Sequence, residues 1–450
     1  MISKLSEPEP RLTIGKTGLD APVVMARDVE AMAANSPVTL DAGSIIFPLA
    51  KLSELPAGDY QVQALYDTNR DVRSPNAPGN LYSEIRRMHF EPSGGENVSL
   101  ELTQQVPAEQ LPVESEFVRY VKIQSKLLSD FHQRPIYLRA GVILPRSFSS
   151  DTSSRFPLRV HIGGYGTSYR EVAAMMAPGA EFRQAWEESG APQMILLHLD
   201  GDGPFGDSYQ VNSDVNGPYG DALIQELIPH IERSFRALAR PAARLLDGGS
   251  TGGWVSLALQ IFYPDFFGGA WSSCPDSVDF RAFQLINIYE DRNAYVNARG
   301  FERPSARELN GDVRFTMRHE CQMENVMGLR DSWTMSGEQW GAWNAAYGPG
   351  GADKRPIPLW HPQTGEINRD VAEHWKRYDL RVLLERDWKT LGPKLRGKLR
   401  ISVGKRITIF STTPSTCSTI FSSAPHLPMR DAFNTAPAKA TATRRSANGS

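Results

Sequence analysis

The chain has 450 residues, of which 40% are hydrophobic and 22% charged, and its formal net charge is −2. This length allows more than one domain, and the balanced charge gives no indication of a nucleic-acid partner or an acidic membrane surface. No apolar run reaches the ~18–20 residues of a membrane-spanning helix. The three cysteines, Cys274, Cys321 and Cys417, are too few and too scattered for a disulfide framework or a zinc site. We therefore expect no metal site.

The first residues of the chain, 1–8, lack the apolar segment of a signal peptide. As written, the chain is expected to stay in the cytoplasm. A secreted or periplasmic location would require a signal upstream of the recorded start.

Residues 1–120 are predicted to be a β-rich accessory domain. Short apolar or alternating runs recur at 11–14, 44–47, 60–66 and 98–102, with clusters of Gly, Pro, Asn and Asp between them. This pattern is typical of a small β-sandwich-like domain. The alternative is a loosely ordered N-terminal extension.

The pattern changes near residue 121, where strands begin to alternate with helices. Such alternation predicts a mainly parallel, doubly wound sheet with helices on both faces. The predicted strands are 136–145, 158–162, 194–199, 243–247, 267–273 and 399–404, and the predicted helices are 219–237 and 254–262.

Within this α/β region, residues 277–380 have a different composition, rich in aromatic, polar, Gly and Pro residues. We interpret them as an insertion over the active-site face that shapes the substrate pocket. The alternative is a satellite helical subdomain without substrate contact.

The most informative motif is Gly248-Gly249-Ser250-Thr251-Gly252, a Gly-x-Ser-x-Gly sequence between a predicted strand and a predicted helix. Enzymes of the α/β-hydrolase fold present their nucleophile on such a sharp strand-to-helix turn. The turn needs small neighbours because the backbone is strained and closely approached there. No Lys follows the glycines, so a phosphate-binding loop is excluded. Ser250 is thus the predicted nucleophile.

A second glycine turn, His161-Ile162-Gly163-Gly164-Tyr165-Gly166, follows an earlier predicted strand. In this fold the oxyanion hole combines the backbone N–H of the residue after the nucleophile with one from the earlier loop. The predicted donors are therefore Thr251 and either Tyr165 or Gly164. A simple tight turn is the alternative for Gly163 and Gly164.

Together, these two motifs resemble the Putative esterase family of α/β-hydrolases, which includes enterochelin-esterase-like and feruloyl-esterase-like enzymes. Residues 216–220 and 274–280 are also similar, and the resemblance spans about 125–404. It implies hydrolysis of a carboxylic ester through an acyl-serine intermediate without a cofactor. The implied substrate is a small-molecule or polysaccharide-linked ester.

Three residues near Ser250 are predicted to contact substrate: Gly164, Trp254 and Asp276. The tryptophans favour an aromatic or sugar-linked acyl group, although a core position is an equal alternative for most of them. Asp276 and Asp279 are also candidates for an alternative catalytic acid.

The end of the chain departs from the family order of Ser, acid and His. More than half of residues 405–450 are Ser, Thr, Ala or Pro, and His426 is the only histidine there. We predict an aberrant, disordered tail produced by a frameshift near Gly404. Restoring one base allows a reading with an acid at the position of Ile407 and a histidine at that of Thr441.

The remaining histidines are poor substitutes for a catalytic base. His198, His230 and His161 lie in predicted strands or helices, where structural roles are expected, whereas His319 and His374 lie in the insertion. The chain as written is therefore predicted to be nearly inactive and unstable. The alternatives to an esterase are an acyltransferase or peptidase on the same fold, or a non-catalytic protein that binds carbohydrate or a partner.

Overall fold

A computed structural model describes residues 1–92, 97–308 and 310–403, and a seven-stranded sheet lies at its centre. We number the strands of this sheet β1 to β7 in chain order. Their bounds are β1 Val118–Ser125, β2 Ile136–Ile143, β3 Leu158–Ile162, β4 Ile195–Leu199, β5 Arg244–Gly249, β6 Gly269–Ser273 and β7 Leu399–Ser402.

The strands lie in the order β7-β6-β5-β3-β4-β2-β1. Strand β2 pairs antiparallel with β1 and β4, whereas the other neighbours are parallel. The predicted α/β-hydrolase fold with a mainly parallel sheet is confirmed. The prediction missed β1, which begins two residues before the expected domain boundary at 120.

Ten α-helical segments accompany the sheet within the described part of the chain, and they are numbered in chain order. Their bounds are α1 Lys126–His132, α2 Val172–Met175, α3 Glu181–Glu187, α4 Tyr219–Ala222, α5 Ile228–Ser234, α6 Thr251–Phe262, α7 Met317–Met327, α8 Gln339–Tyr347, α9 Arg369–Trp375 and α10 Leu380–Leu395. A π-helical turn, Leu223–Leu227, joins α4 to α5, so the predicted helix 219–237 is present with one irregular turn. Short 3₁₀ turns lie at Pro10–Thr13, Gly18–Asp20, Leu52–Glu54, Tyr169–Glu171, Pro241–Ala243, Phe280–Ala282 and Trp333–Met335.

The centre of the sheet is buried from both sides. All five residues of β4 are buried, as expected for a central strand covered on both faces. Helices α5 and α6 contribute to the main core on one face, and Trp186 of α3 packs with Leu196 on the other. At the edge of the second face, Trp271 is 42% exposed.

The N-terminal part is β-rich, as predicted, and consists of small antiparallel sheets. Among the described residues before β1, two three-stranded sheets and one two-stranded sheet are present. The strands are Ile2–Ser3, Gly58–Val62 and Arg86–Phe90 in one sheet, Leu65–Tyr66, Leu81–Tyr82 and Gln104–Gln105 in another, and Val24–Ala26 with Ile45–Phe47 in the third.

Between β6 and β7 the chain leaves the sheet and forms helices α7 to α10. Helix α7 provides the surface on which the N-terminal part packs, because Val24 and Phe47 form a common cluster with Met323 and Val326. Two-stranded ribbons complete the structure: Asp202–Gly203 with Gly206–Asp207, Asn212–Ser213 with Gly217–Pro218, and Pro304–Arg307 with Val313–Thr316. None of the helices in the described ranges is both long and apolar enough to cross a membrane.

Candidate active site

Ser250 lies on a sharp turn between β5 and α6, with φ 56° and ψ −121°. Residues that have a Cβ atom rarely adopt this backbone conformation, and strain of this kind is concentrated at functional sites. The turn is tied to the neighbouring strand, because the Ser250 N–H donates a hydrogen bond of 3.0 Å to the Ser273 carbonyl oxygen. The predicted strand–serine–helix turn is therefore present.

The glycines around Ser250 allow the close packing of this turn. A Cβ atom on Gly248 would stand 2.6 Å from the Ile162 carbonyl oxygen, and one on Gly253 would stand 2.9 Å from the Ser273 carbonyl oxygen. Gly252 is packed more tightly still against Ile162. Because the obstructing atoms belong to the backbone, these positions require glycine.

The predicted oxyanion loop lies beside Ser250. A Cβ atom on Gly164 would stand 4.0 Å from the Ser250 Cβ atom. Tyr165 extends away from it and donates a hydrogen bond of 2.7 Å from its hydroxyl to the Gly337 carbonyl oxygen in the insertion. Thr251 is the first residue of α6, where backbone N–H groups have no partner within the helix and favour negative charge.

Asp276 contacts Ser250 directly. The Ser250 Oγ atom donates a hydrogen bond of 3.3 Å to Asp276 Oδ1, and the Asp276 N–H donates one of 3.2 Å to the Ser250 carbonyl oxygen. Three further donors reach Asp276 Oδ2: the Tyr209 hydroxyl at 3.1 Å, the Thr251 hydroxyl at 3.2 Å and Trp343 Nε1 at 3.3 Å. The carboxylate thus accepts hydrogen bonds from four side chains.

Burial raises the pKa of Asp276 to about 6, and the hydrogen bonds from Tyr209, Thr251, Trp343 and Ser250 oppose that rise. The residue is only 1% exposed. An unpaired buried carboxylate would be costly, so the four donors explain how a charge is accommodated here.

Asp276 lies too close to Ser250 to be the acid of a Ser-His-acid triad. In a triad the imidazole stands between serine and acid, so the two are separated by two hydrogen bonds of about 2.8 Å and the ring itself. The Ser250 Oγ and Asp276 Oδ1 atoms are 3.3 Å apart, which leaves no room for a ring. The other candidate acid, Asp279, pairs instead with Arg281 and Arg381.

Trp254 does not fit the predicted contact with substrate. Its side chain is fully buried, and its ring centroid lies 4.9 Å from that of Tyr347 and 5.9 Å from that of Tyr209. Trp254 follows the nucleophile in sequence, but its helix turns it into the core. This prediction is corrected: the core alternative applies to Trp254.

The described histidines all contact groups other than Ser250. His161 Nδ1 lies 3.0 Å from Asp247 Oδ2, and His198 Nδ1 lies 3.1 Å from the Leu199 carbonyl oxygen. His319 accepts a hydrogen bond from the Gly18 N–H, and His374 lies near Asp214. The predicted acid and base positions, Ile407 and Thr441, lie outside the described residues, as does His426.

Tyr209 and Trp343 are site residues that the sequence did not reveal. Tyr209 lies in the loop after β4 with a positive φ of 54°, and its hydroxyl donates a hydrogen bond to Asp276. Trp343 belongs to α8 of the insertion. Trp343 contacts Asp276, and Gly337 of the same segment contacts Tyr165. No group of three or more His, Cys, Asp or Glu residues within the described ranges is arranged to hold a metal ion.

Comparison with known proteins places these features in a family. The family model described as Putative esterase matches residues 142–391. No curated protein matches the chain.

Several solved structures are similar. A fluorophosphonate-binding serine hydrolase F of Staphylococcus aureus is 13% identical, with coverage of 71% of this chain and 90% of that one and a TM-score of 0.39. An S-formylglutathione hydrolase from Agrobacterium tumefaciens is 11% identical, with 72% and 88% coverage and a TM-score of 0.38.

A ferulic acid esterase is 19% identical, with 36% of this chain covered and a TM-score of 0.31. The chain spans 60% of the length of that esterase. The family model, in contrast, covers more than half of this chain and includes both Ser250 and the Gly164 loop. The chain therefore belongs to the Putative esterase family of α/β-hydrolases.

Proposed function

We propose that the chain is a carboxylic ester hydrolase that acts through an acyl-serine intermediate at Ser250. The observation that carries this proposal is the strained turn that holds Ser250 at the end of β5, facing the Gly164 loop. This arrangement is the one that the α/β-hydrolase fold uses to present a nucleophile.

In this proposal, Ser250 Oγ attacks the ester carbonyl carbon after its proton passes to a base. The negative charge that develops on the carbonyl oxygen is stabilised by the backbone N–H groups of Thr251 and Tyr165, with Gly164 lining the approach. The alcohol leaves, and water then releases the acid from Ser250 by the reverse route. The N-terminus of α6 adds a favourable dipole beside the same oxygen.

The proposed substrate is a small-molecule or polysaccharide-linked ester. The insertion supports a shaped pocket, because Gly337 anchors Tyr165 and Trp343 reaches Asp276. In this role Asp276 orients the Ser250 hydroxyl beneath the bound ester.

We also propose that hydrolytic turnover by this chain is very slow. Loss of the histidine from a comparable serine hydrolase lowers turnover by on the order of 10⁶, and the described histidines all contact groups other than Ser250. The proposed cause is the frameshift near Gly404. An independent nucleotide sequence across that codon tests it, since an unchanged reading frame would rule it out.

The activity is tested with a panel of nitrophenyl esters and peptides. The chain as written and a chain with the restored frame are compared, each with Ser250→Ala as its control. We expect steady turnover of esters, and not of peptides, by the restored chain only. Full activity from the chain as written, or activity that survives Ser250→Ala, would contradict the proposal.

A further inference from the structure

We propose that Asp276 is the general base that takes the Ser250 proton in this chain and allows a slow, single acylation. The inference rests on the proposed function, because it requires Ser250 to be the nucleophile. A general base must lie within hydrogen-bond reach of the proton that it removes. Among the described residues, Asp276 is the one whose side chain accepts a hydrogen bond from Ser250 Oγ.

The two oxygens of Asp276 have different environments. Oδ2 receives hydrogen bonds from Tyr209, Thr251 and Trp343. Oδ1 receives the one from Ser250. Oδ1 therefore keeps a lone pair for the arriving proton, whereas the three donors hold the carboxylate in place from the other side.

Burial makes Asp276 a better base than an ordinary aspartate, because it raises the pKa to about 6. Other groups facing the carboxylate are Asp207, whose pKa burial raises to about 7, and the hydroxyls of Tyr209 and Tyr347. These tyrosines stay neutral, since burial raises their pKa values well above the usual range. Asp207 is thus the second group that titrates close to this site.

The step balances without any further reactant when the ester has a good leaving group. The Ser250 proton moves to Asp276 Oδ1 while Oγ forms a bond to the carbonyl carbon, and the carbonyl electron pair moves to its oxygen. When the tetrahedral intermediate collapses, the bond to nitrophenolate breaks and the anion leaves unprotonated. The products are acetyl-Ser250, protonated Asp276 and free nitrophenolate.

The experiment measures acetylation of the full chain by nitrophenyl acetate between pH 4 and pH 8. The release of total nitrophenol, read at the wavelength where its neutral and ionised forms absorb equally, gives the rate, and peptide mass spectrometry locates the acetyl group. We expect one acetyl group on Ser250, with a rate that rises about tenfold per pH unit below a midpoint near 6 and levels off above it, as the base ionises.

Asp276→Asn is expected to lower the acetylation rate by about 10² or more. The matched control is Asp379→Asn. Asp379 is also buried with a pKa raised to about 6, but it caps α10 and contacts Tyr289 rather than Ser250. This control is expected to keep the rate and midpoint of the unaltered chain.

Four side chains donate hydrogen bonds to Asp276, so Asp276→Asn also disturbs the packing of the site. A loss of activity in this variant therefore does not by itself separate a catalytic role from misfolding. Tyr209→Phe separates the two effects, because it keeps the base and removes one of the hydrogen bonds that lower its pKa. The midpoint is then expected to move upward. A structural role alone would leave the midpoint where it was.

Three results would overturn the inference. Acetylation of Ser250 that is indifferent to Asp276→Asn, or a midpoint that Tyr209→Phe leaves unmoved, overturns the role of Asp276 and keeps the proposed function. Absence of acetylation at Ser250 in the unaltered chain overturns the role of Asp276, and its absence from the restored-frame chain as well overturns the proposed function.

Discussion

The carbonyl oxygen of Ile162 stands 2.6 Å from the place where a Cβ atom on Gly248 would lie. This approach joins the end of β3, which begins the Gly164 loop, to the turn that carries Ser250. The nucleophile and the proposed oxyanion loop are therefore held together by backbone contact.

Replacing Gly248 by alanine is expected to force β3 and β5 apart and to destabilise the chain by about 1–3 kcal/mol. The rate of Ser250 acetylation should fall as well. Denaturant unfolding measures the loss of stability. Gly190→Ala is the control, since nothing lies within 4 Å of its added Cβ atom, and equal stability losses in the two variants would contradict the prediction.

Ser250→Gly is expected to stabilise the protein while removing the nucleophile. The backbone at φ 56° and ψ −121° costs a residue with a Cβ atom about 1–3 kcal/mol. Glycine removes this strain. Its greater conformational freedom in the unfolded chain offsets about 0.5–1 kcal/mol of the resulting stabilisation. The net gain should appear as a higher melting temperature than that of Ser250→Ala, which keeps the strain. A lower melting temperature for Ser250→Gly would show that the turn is unstrained.

The sequence alone predicted the features that arise from neighbouring residues. Ser250, the glycines beside it and the strand before it occupy consecutive positions, so their local chemistry specifies the turn. The Gly164 loop was predicted for the same reason.

Contacts between distant segments could not be predicted in this way. Asp276 accepts hydrogen bonds from Tyr209, which lies 67 residues earlier in the chain, and from Trp343, which lies 67 residues later. Trp254 shows the opposite error, since it stands four residues after Ser250 but its helix directs it inward. Packing of the N-terminal part on α7 likewise depends on tertiary contacts.

The start of β5 is held by a buried ion pair, whose disruption should be costly. Arg244 Nε lies 2.6 Å from Glu232 Oε1, and both side chains are largely buried. Glu232→Ala leaves the guanidinium buried without its partner and is expected to cost about 3–5 kcal/mol. Asp265→Ala breaks an exposed pair with Lys394 and should cost about 0–1 kcal/mol. Similar free energies of unfolding for both variants would contradict this difference.

His198 should make the folded state less stable in acid. Burial, together with the nearby His161, lowers its pKa to about 4, so the unfolded chain takes up this proton first as the pH falls. Between about pH 7 and pH 4, this histidine should remove about 3 kcal/mol from the free energy of unfolding.

A comparison with His198→Leu isolates that effect. The raised pKa values of Asp207 and Asp276 act in the opposite direction, favouring the folded state in acid, but they are present in both proteins. As the pH falls toward 4, the free energy of unfolding of the unaltered protein should therefore decrease relative to that of His198→Leu. A difference that is independent of pH would show that the pKa of His198 is the same in the folded and the unfolded chain.

The role of Ser250 as nucleophile is tested most directly by covalent labelling. The full chain is incubated for an extended time with a fluorophosphonate, which reacts with activated serines, and the modified peptide is sequenced by mass spectrometry beside the Ser250→Ala variant. We expect a single phosphonyl group on Ser250 and no label in the variant. The same incubation is run with the restored-frame chain. A label on another residue, or an absence of label on Ser250 in both chains at every pH from 4 to 8, would contradict the assignment of Ser250.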